Sequence, residues 1–209
     1  MYILKEKIAF PPVEEASPEG FLAIGGDLSP ERLLLAYKSG IFPWFSDDEP
    51  IVWWSPDPRM VLFPDDLKVS KSMKQLLRRE TFTVTYNKAF KEVIRACAFI
   101  ERPGQDGTWI TSDMEEAYIK LHELGYAISV EVWQDEQLVG GVYGIDLGHI
   151  FCGESMFAKV SNASKYGFIH LVERLKKNGC QLIDCQMHTN HLASLGAYEV
   201  SREVFLSYL

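Results

Sequence analysis

No apolar run in this 209-residue chain is long enough to cross a bilayer. The longest, Ile51–Trp54 and Leu138–Ile145, break off within a few residues, whereas a spanning helix needs about 20. The opening residues Met1 to Lys7 show no signal-peptide pattern, so the expectation is a cytoplasmic protein with no membrane role. Cysteine is sparse too. Cys97, Cys152, Cys180 and Cys185 have no CxxC spacing, and a cytosolic chain of this length needs no disulfide staples, so free thiols are expected. Basic side chains are outnumbered 21 to 29, and a net charge of -8 argues against a general nucleic-acid coat. Ser155 and Ser194 lack a G-x-S-x-G elbow, which excludes the usual serine hydrolase pattern. His188 and His191 lie near Cys185 without a further ligand pair, so no metal is expected.

What the chain does have is a hydrophobic fraction of 47%, enough to build one large domain or two unequal ones. Its most informative stretch is Gln181–Met187, an apolar strand-like run carrying Asp184 and Gln186. Strand alternation puts that carboxylate and carboxamide on one face, about 7 Å apart, with Ile183, Cys185 and Met187 on the other. Such a pair is either a satisfied structural couple or the centre of a site. Glu154 raises the same question, being a carboxylate among Phe151, Cys152, Met156 and Phe157. A buried carboxylate is costly unless a cation or donors satisfy it. The cation would be a structural salt-bridge partner or an incoming substrate.

Charge distribution is more telling than net charge. Between Leu67 and Arg79 stand Lys68, Lys71, Lys74, Arg78 and Arg79 with no acid among them. With Ser70 as N-cap, helical spacing brings Lys71, Lys74 and Arg78 onto one stripe opposite Met73, Leu76 and Leu77. The ridge is either a solvated helix face or a rail for a phosphate backbone.

The elements fall into an order. Ser29-Pro30 opens a helix that Gly40 ends, and the Trp-rich and Pro-rich segments Ile41–Phe45 and Ile51–Pro58 follow it without a useful helical or strand period. Residues 1 to 61 therefore read as a small loop-rich N-terminal domain, its aromatics forming a small core or stacking on bases. From residue 62 to 209 the pattern is regular. After the cationic helix come a strand over Phe82–Tyr86, a helix over Lys88–Ala98, and a helix from a Ser112–Glu115 capping box to Leu124. Three meander strands follow, Tyr126–Trp133, Gln137–Ile145 and His149–Phe157, then a helix from Asn162 to Asn178 and the Asp184 strand. This is an α+β order, that of a GNAT-like (acyl-CoA N-acyltransferase-like) core. The Gln/Arg-x-x-Gly-x-Gly/Ala turn that holds a coenzyme pyrophosphate is missing, however, because the junction Met156–Lys165 contains no glycine. An acyl-transfer fold without that cradle, but with a cationic ridge and aromatic loops, points to an acyl group carried by another polyanion, for which aminoacyl-tRNA is the obvious candidate.

The chain resembles the leucyl/phenylalanyl-tRNA-protein transferases at Gly25–Pro30, Gly40–Phe45, Trp53–Arg59, Gly107–Thr111, Leu121–Gly125, Phe151–Phe157, Asn162–Lys165, and Leu182–Gln186 with Ala193–Ala197. The resemblance implies a cytosolic, cofactor-free enzyme of the bacterial N-degron route. It would move leucine or phenylalanine, and less well methionine, from the 3′ end of tRNA to a protein beginning with arginine or lysine. It further implies that Asp184 and Gln186 sit at the reaction centre and that Glu154 serves the acceptor. Trp44 and Trp109 would stack on the terminal adenosine, and Phe151, Phe157 and Ile183 would form the aminoacyl slot. The family suggests a monomer. Where some members continue in a tail, this chain stops at Leu209, and the contacts of such a tail are expected to be missing. Aminolysis of an ester needs a neutral amine and good approach, not a covalent nucleophile. A carboxamide is a weak base, so Gln186 would position the amine, with Asp184 or the tRNA's own ribose handling the proton. An acyl-CoA-dependent N-acetyltransferase is the alternative enzyme, and an RNA-binding module the non-enzymatic one.

Overall fold

A computed structural model of the chain describes residues 2–100 and 108–209. Gly107, the first residue of one resemblance motif, lies outside these described residues.

The N-terminal part contains β1 (Tyr2–Leu4), β2 (Phe21–Gly25), α1 (Pro30–Lys38), β3 (Phe42–Pro43) and β4 (Val52–Trp54). The four strands form one sheet in the order β1-β2-β4-β3. The segments read as loops at 41–45 and 51–58 thus contribute strands, but ones of two and three residues, too short to show a period of two. α1 begins as expected, with Ser29 Oγ accepting from the Arg32 amide and Pro30 at the first helical position. Trp53 is fully buried and its indole donates to the Gly25 carbonyl at 2.9 Å, tying the sheet together.

The next strand, β5 (Arg59–Leu62), already belongs to the larger sheet. The chain continues through α2 (Lys71–Arg78), β6 (Thr83–Tyr86), α3 (Phe90–Phe99), α4 (Ser112–Glu123), β7 (Ala127–Gln134), β8 (Gln137–Asp146) and β9 (Ile150–Ala158). It ends with α5 (Ala163–Lys177), β10 (Leu182–Gln186), α6 (Asn190–Ser194), β11 (Tyr198–Val200) and α7 (Arg202–Leu206). The large sheet runs β11-β5-β10-β9-β8-β7-β6, antiparallel throughout except for β9 and β10. Neighbouring residues of β8 face opposite ways, as a pleated strand requires: Tyr143 packs with α3 and α4, Val142 with α5. The sheet is therefore covered on both faces.

Two caps differ from the sequence reading. Thr111, not Ser112, caps α4, accepting from the Met114 amide, and Glu115 pairs with Arg95 at 2.7 Å instead of closing a capping box. Asn162 does precede α5, but in the left-handed conformation at φ 69°, with no side-chain cap bond. Helix α5 can approach the sheet closely because β8 carries Gly140: a Cβ there would fall 2.7 Å from that of Ala163. α1 lies against α4, and this contact brings the N-terminal part over the β9 side of the sheet.

Candidate active site

Strands β9 and β10 pair over only three positions, ending at Cys152 opposite Asp184. Both then bulge. Register between β8 and β9 jumps from Gly144–Gly153 to Tyr143–Ser155, leaving Glu154 as the extra residue. Register between β10 and β5 jumps from Asp184–Val61 to Gln186–Met60, leaving Cys185 extra. Bulges bend a strand and re-aim its side chains. Beyond the last pair lies a cavity of about 740 Å³, walled by residues 153–158 of β9 on one side and residues 185–187 on the other. The N-terminal part supplies Phe42, Pro43 and Trp44, α5 supplies Ser164 and Phe168, and Trp109 closes one edge.

Two polar side chains meet on this largely apolar wall. Gln186 Nε2 donates to Glu154 Oε1 at 2.8 Å. The Tyr37 hydroxyl, from the last turn of α1, donates to the same oxygen at 2.7 Å, and the Tyr118 hydroxyl of α4 donates to Oε2 at 3.1 Å. The two phenol oxygens also touch each other. These three oxygen contacts hold only two hydroxyl protons while Glu154 is ionised, and a protonated Glu154 supplies the third. Burial pushes the Glu154 carboxyl up to about 7, against the lowering effect of the Tyr37 and Tyr118 bonds, with the Asp184 charge adding to the rise. Burial likewise holds both phenols well above their ordinary range, so they remain donors.

Asp184 is placed differently from what alternation predicts. With Cys185 inserted, Gln186 turns to the cavity while Asp184 is fully buried behind it. Its two oxygens take a bidentate fork from Arg59, Nε to Oδ1 at 2.8 Å and the terminal Nη2 to Oδ2 at 2.7 Å. Oδ1 also accepts the Gln186 amide at 2.9 Å. Gln186 itself has φ 62°, in the left-handed region that few non-glycine residues adopt.

Of the other residues singled out from sequence, Trp44, Trp109, Phe157 and Ile183 line the cavity. Phe151 does not: it is fully buried, paired in register with Ile183 and packed with α5 in the core below. The cationic helix forms as read, Ser70 Oγ accepting from the Met73 amide, and Lys68, Lys71, Lys74, Arg78 and Arg79 are all exposed. Helix α2 packs with the first turns of α5, outside the cavity wall. His191 is on the wall, whereas His188 is exposed. Sequence reasoning missed Tyr37, Tyr118 and Arg59 as site components. The two tyrosines occupy apolar helix positions, and the available signal was only that a buried phenol needs a partner.

Comparison with known proteins agrees over the whole chain. The family described as "Leucyl/phenylalanyl-tRNA protein transferase" matches residues 61–209, and its N-terminal domain matches 26–57. The leucyl/phenylalanyl-tRNA–protein transferase of Flavobacterium johnsoniae is 65% identical, covering 100% of this chain and 99% of that protein. The one from Pseudomonas fluorescens is 55% identical, covering 100% of this chain and 92% of that protein. Among solved structures, FemX aligns with a TM-score of 0.53 at 12% identity, over 82% of this chain and 66% of that one, a likeness that speaks to the GNAT-like fold alone. The chain belongs to the leucyl/phenylalanyl-tRNA protein transferase family, and is an aminoacyltransferase that works from aminoacyl-tRNA.

Proposed function

We propose that this enzyme moves leucine or phenylalanine, and less well methionine, from tRNA to proteins beginning with arginine or lysine, marking them for degradation, and that it works as a cytoplasmic monomer. The observation that carries this reading is the Gln186–Glu154 contact on the wall of a mostly apolar cavity. Phe157, Ile183 and Phe168 offer the aminoacyl side chain a slot without a buried donor or acceptor. Such a slot separates apolar side chains by only about 10 to 200-fold per methylene, which suits an enzyme that takes more than one. Trp44 and Trp109, at the edge of the cavity, suit stacking on the terminal adenosine. Phe151 supports the slot from beneath. The exposed cations Lys68, Lys71, Lys74, Arg78 and Arg79 hold the tRNA backbone by charge, which fixes register without reading sequence.

In this reading Glu154 receives the acceptor. A terminal ammonium has an ordinary value of about 7.7 to 8.0, close to the value near 7 of Glu154, so proton transfer between them is nearly balanced. The ammonium gives its proton to Glu154, and Gln186 holds the resulting amine against the ester carbonyl. The new C–N bond forms as the carbonyl becomes tetrahedral. Its collapse breaks the bond to the ribose oxygen, which leaves with the proton that Glu154 returns, and the Glu154 carboxylate then takes the surplus proton from the new amide nitrogen and releases it to water. Asp184 belongs to this machinery through Gln186.

The test is a transfer assay with purified protein, radiolabelled Leu-tRNA or Phe-tRNA, and two peptides differing only in an N-terminal Arg or Ala. Label on the Arg peptide alone, with no coenzyme A added, is the expected result. Binding of tRNA without transfer reduces the protein to an RNA-binding relative. Absence of tRNA binding, together with transfer from acetyl-coenzyme A, favours the N-acetyltransferase alternative.

A further inference from the structure

Arg59 is almost fully buried, at 1% exposure, and it is a cation. Its guanidinium lies between two aromatic rings, 4.8 Å from the centroid of Phe42 and 4.6 Å from that of Phe205. Nη1 donates to the Gly40 carbonyl at 3.2 Å, and the other two nitrogens clamp Asp184. The same side chain thus touches β3, α7 and β10, three elements far apart in sequence. Phe42 is itself part of the cavity wall. The loop leading to β3 can lie this close to the C-terminal helix because Gly40, at φ 74°, has no side chain: a Cβ there would fall 2.7 Å from Leu206.

We propose that Arg59 is a positioning residue for aminoacyl transfer: through Asp184 it holds Gln186 against Glu154, and through Phe42 it sets the opposite wall of the cavity. The inference rests on the reading of Gln186 and Glu154 as the groups that touch substrate. A left-handed Gln186 persists only if its surroundings over-determine it. The bond from its amide to Asp184 Oδ1 does so, and Arg59 Nε fixes where Oδ1 stands. The chain of contacts is continuous from Phe205 to Arg59, Asp184, Gln186 and Glu154. A planar fork is needed at its head, because an ammonium cannot bond both carboxylate oxygens in one plane or stack between rings. Stability alone does not call for this pair: a buried ion pair can often be replaced by apolar side chains of similar volume without loss.

That last point supplies the test, which separates positioning from stability. The double variant Arg59→Met/Asp184→Leu removes both charges and keeps the volume. It is expected to melt close to the wild type and to keep its KM for aminoacyl-tRNA within about threefold, while kcat for transfer falls on the order of 100-fold. Wild-type kcat in the folded double variant overturns the proposal, and so does a rise in KM with kcat unchanged. If the double variant does not fold, Arg59→Lys decides by the same split, with kcat down on the order of tenfold expected and unchanged kcat contradicting it. Wild-type protein runs beside each variant. If it shows no transfer, the assigned reaction has failed; if it transfers and the variants match it, the role of Arg59 has failed.

Discussion

Asp184 and Glu154 stand on adjacent strands, both are carboxyl groups in apolar surroundings, and their partners differ in kind. Asp184 meets a guanidinium and is sealed from the cavity, with 1% exposure on each side of the ion pair. Glu154 faces the cavity and meets only neutral donors, two phenols and a carboxamide. A guanidinium fork makes its carboxylate a fixed anchor. Neutral donors leave the carboxyl free to meet an incoming cation, and burial lifts it to about 7 in spite of the lowering bonds from Tyr37, Tyr118 and Gln186. A third buried carboxylate, Glu131, is also held by neutral donors, Thr85 and Ser129 at 2.5 Å and the Lys88 amide at 3.3 Å, but it does not line this cavity. The comparison teaches that the partner type decides whether a carboxyl group is already paired with a cation, and access to the cavity decides whether it can meet a substrate.

The largest effect should come from breaking the sealed pair. Asp184→Asn leaves Arg59 as a buried cation without its counter-ion, and stability should fall by about 3 to 5 kcal/mol in urea unfolding. A loss below about 1 kcal/mol would mean that the pair is not sealed. Glu154 should instead show itself through pH. Its value in the folded chain, about 7, lies above the ordinary 4.5, so the folded state binds the proton more tightly. The stability this contributes is full below pH 4.5 and is lost as pH rises through 7, amounting to about 3 kcal/mol at most. Glu154→Gln should abolish that slope, and unfolding midpoints that follow the wild type across pH 5 to 8 would contradict it. Tyr118→Phe deletes one donor that lowers the Glu154 value, so the ionisation seen in the pH–rate profile should move upward, at a stability cost of about 1 kcal/mol. A downward move would oppose the account. The smallest effect on the fold belongs to Lys71→Glu with Arg78→Glu, both exposed: stability should stay within about 0.5 kcal/mol. The KM for aminoacyl-tRNA should nevertheless rise and its salt dependence flatten, and unchanged kinetics would remove the cationic rail.

Much of this was legible in the sequence for physical reasons. Long elements announce themselves by period and caps, so the β7–β9 meander, α5 and the Ser70-capped cationic helix stand close to where spacing puts them. The two-residue and three-residue strands β3 and β4 did not, because a pattern of two needs more turns of the pleat than they have. The site was half legible. Asp184, Gln186 and Glu154 stood out as polar residues in apolar strands. Their relative orientation did not, since one bulge at Cys185 interrupts the alternation and turns Gln186 to the cavity while Asp184 stays buried behind it. Arg59 was invisible for another reason: its partner lies 125 residues away, and only the sheet order places β5 beside β10.

The most direct test compares peptides that begin with arginine and with its neutral analogue citrulline, taking the ratio of kcat/KM in wild type, Glu154→Gln and, where it remains folded, Asp184→Asn. The account predicts that Glu154→Gln loses most of the preference for arginine, while Asp184→Asn keeps the preference and loses turnover. A Glu154→Gln enzyme that still prefers arginine as strongly as the wild type would contradict the assignment of the cavity carboxyl to the acceptor.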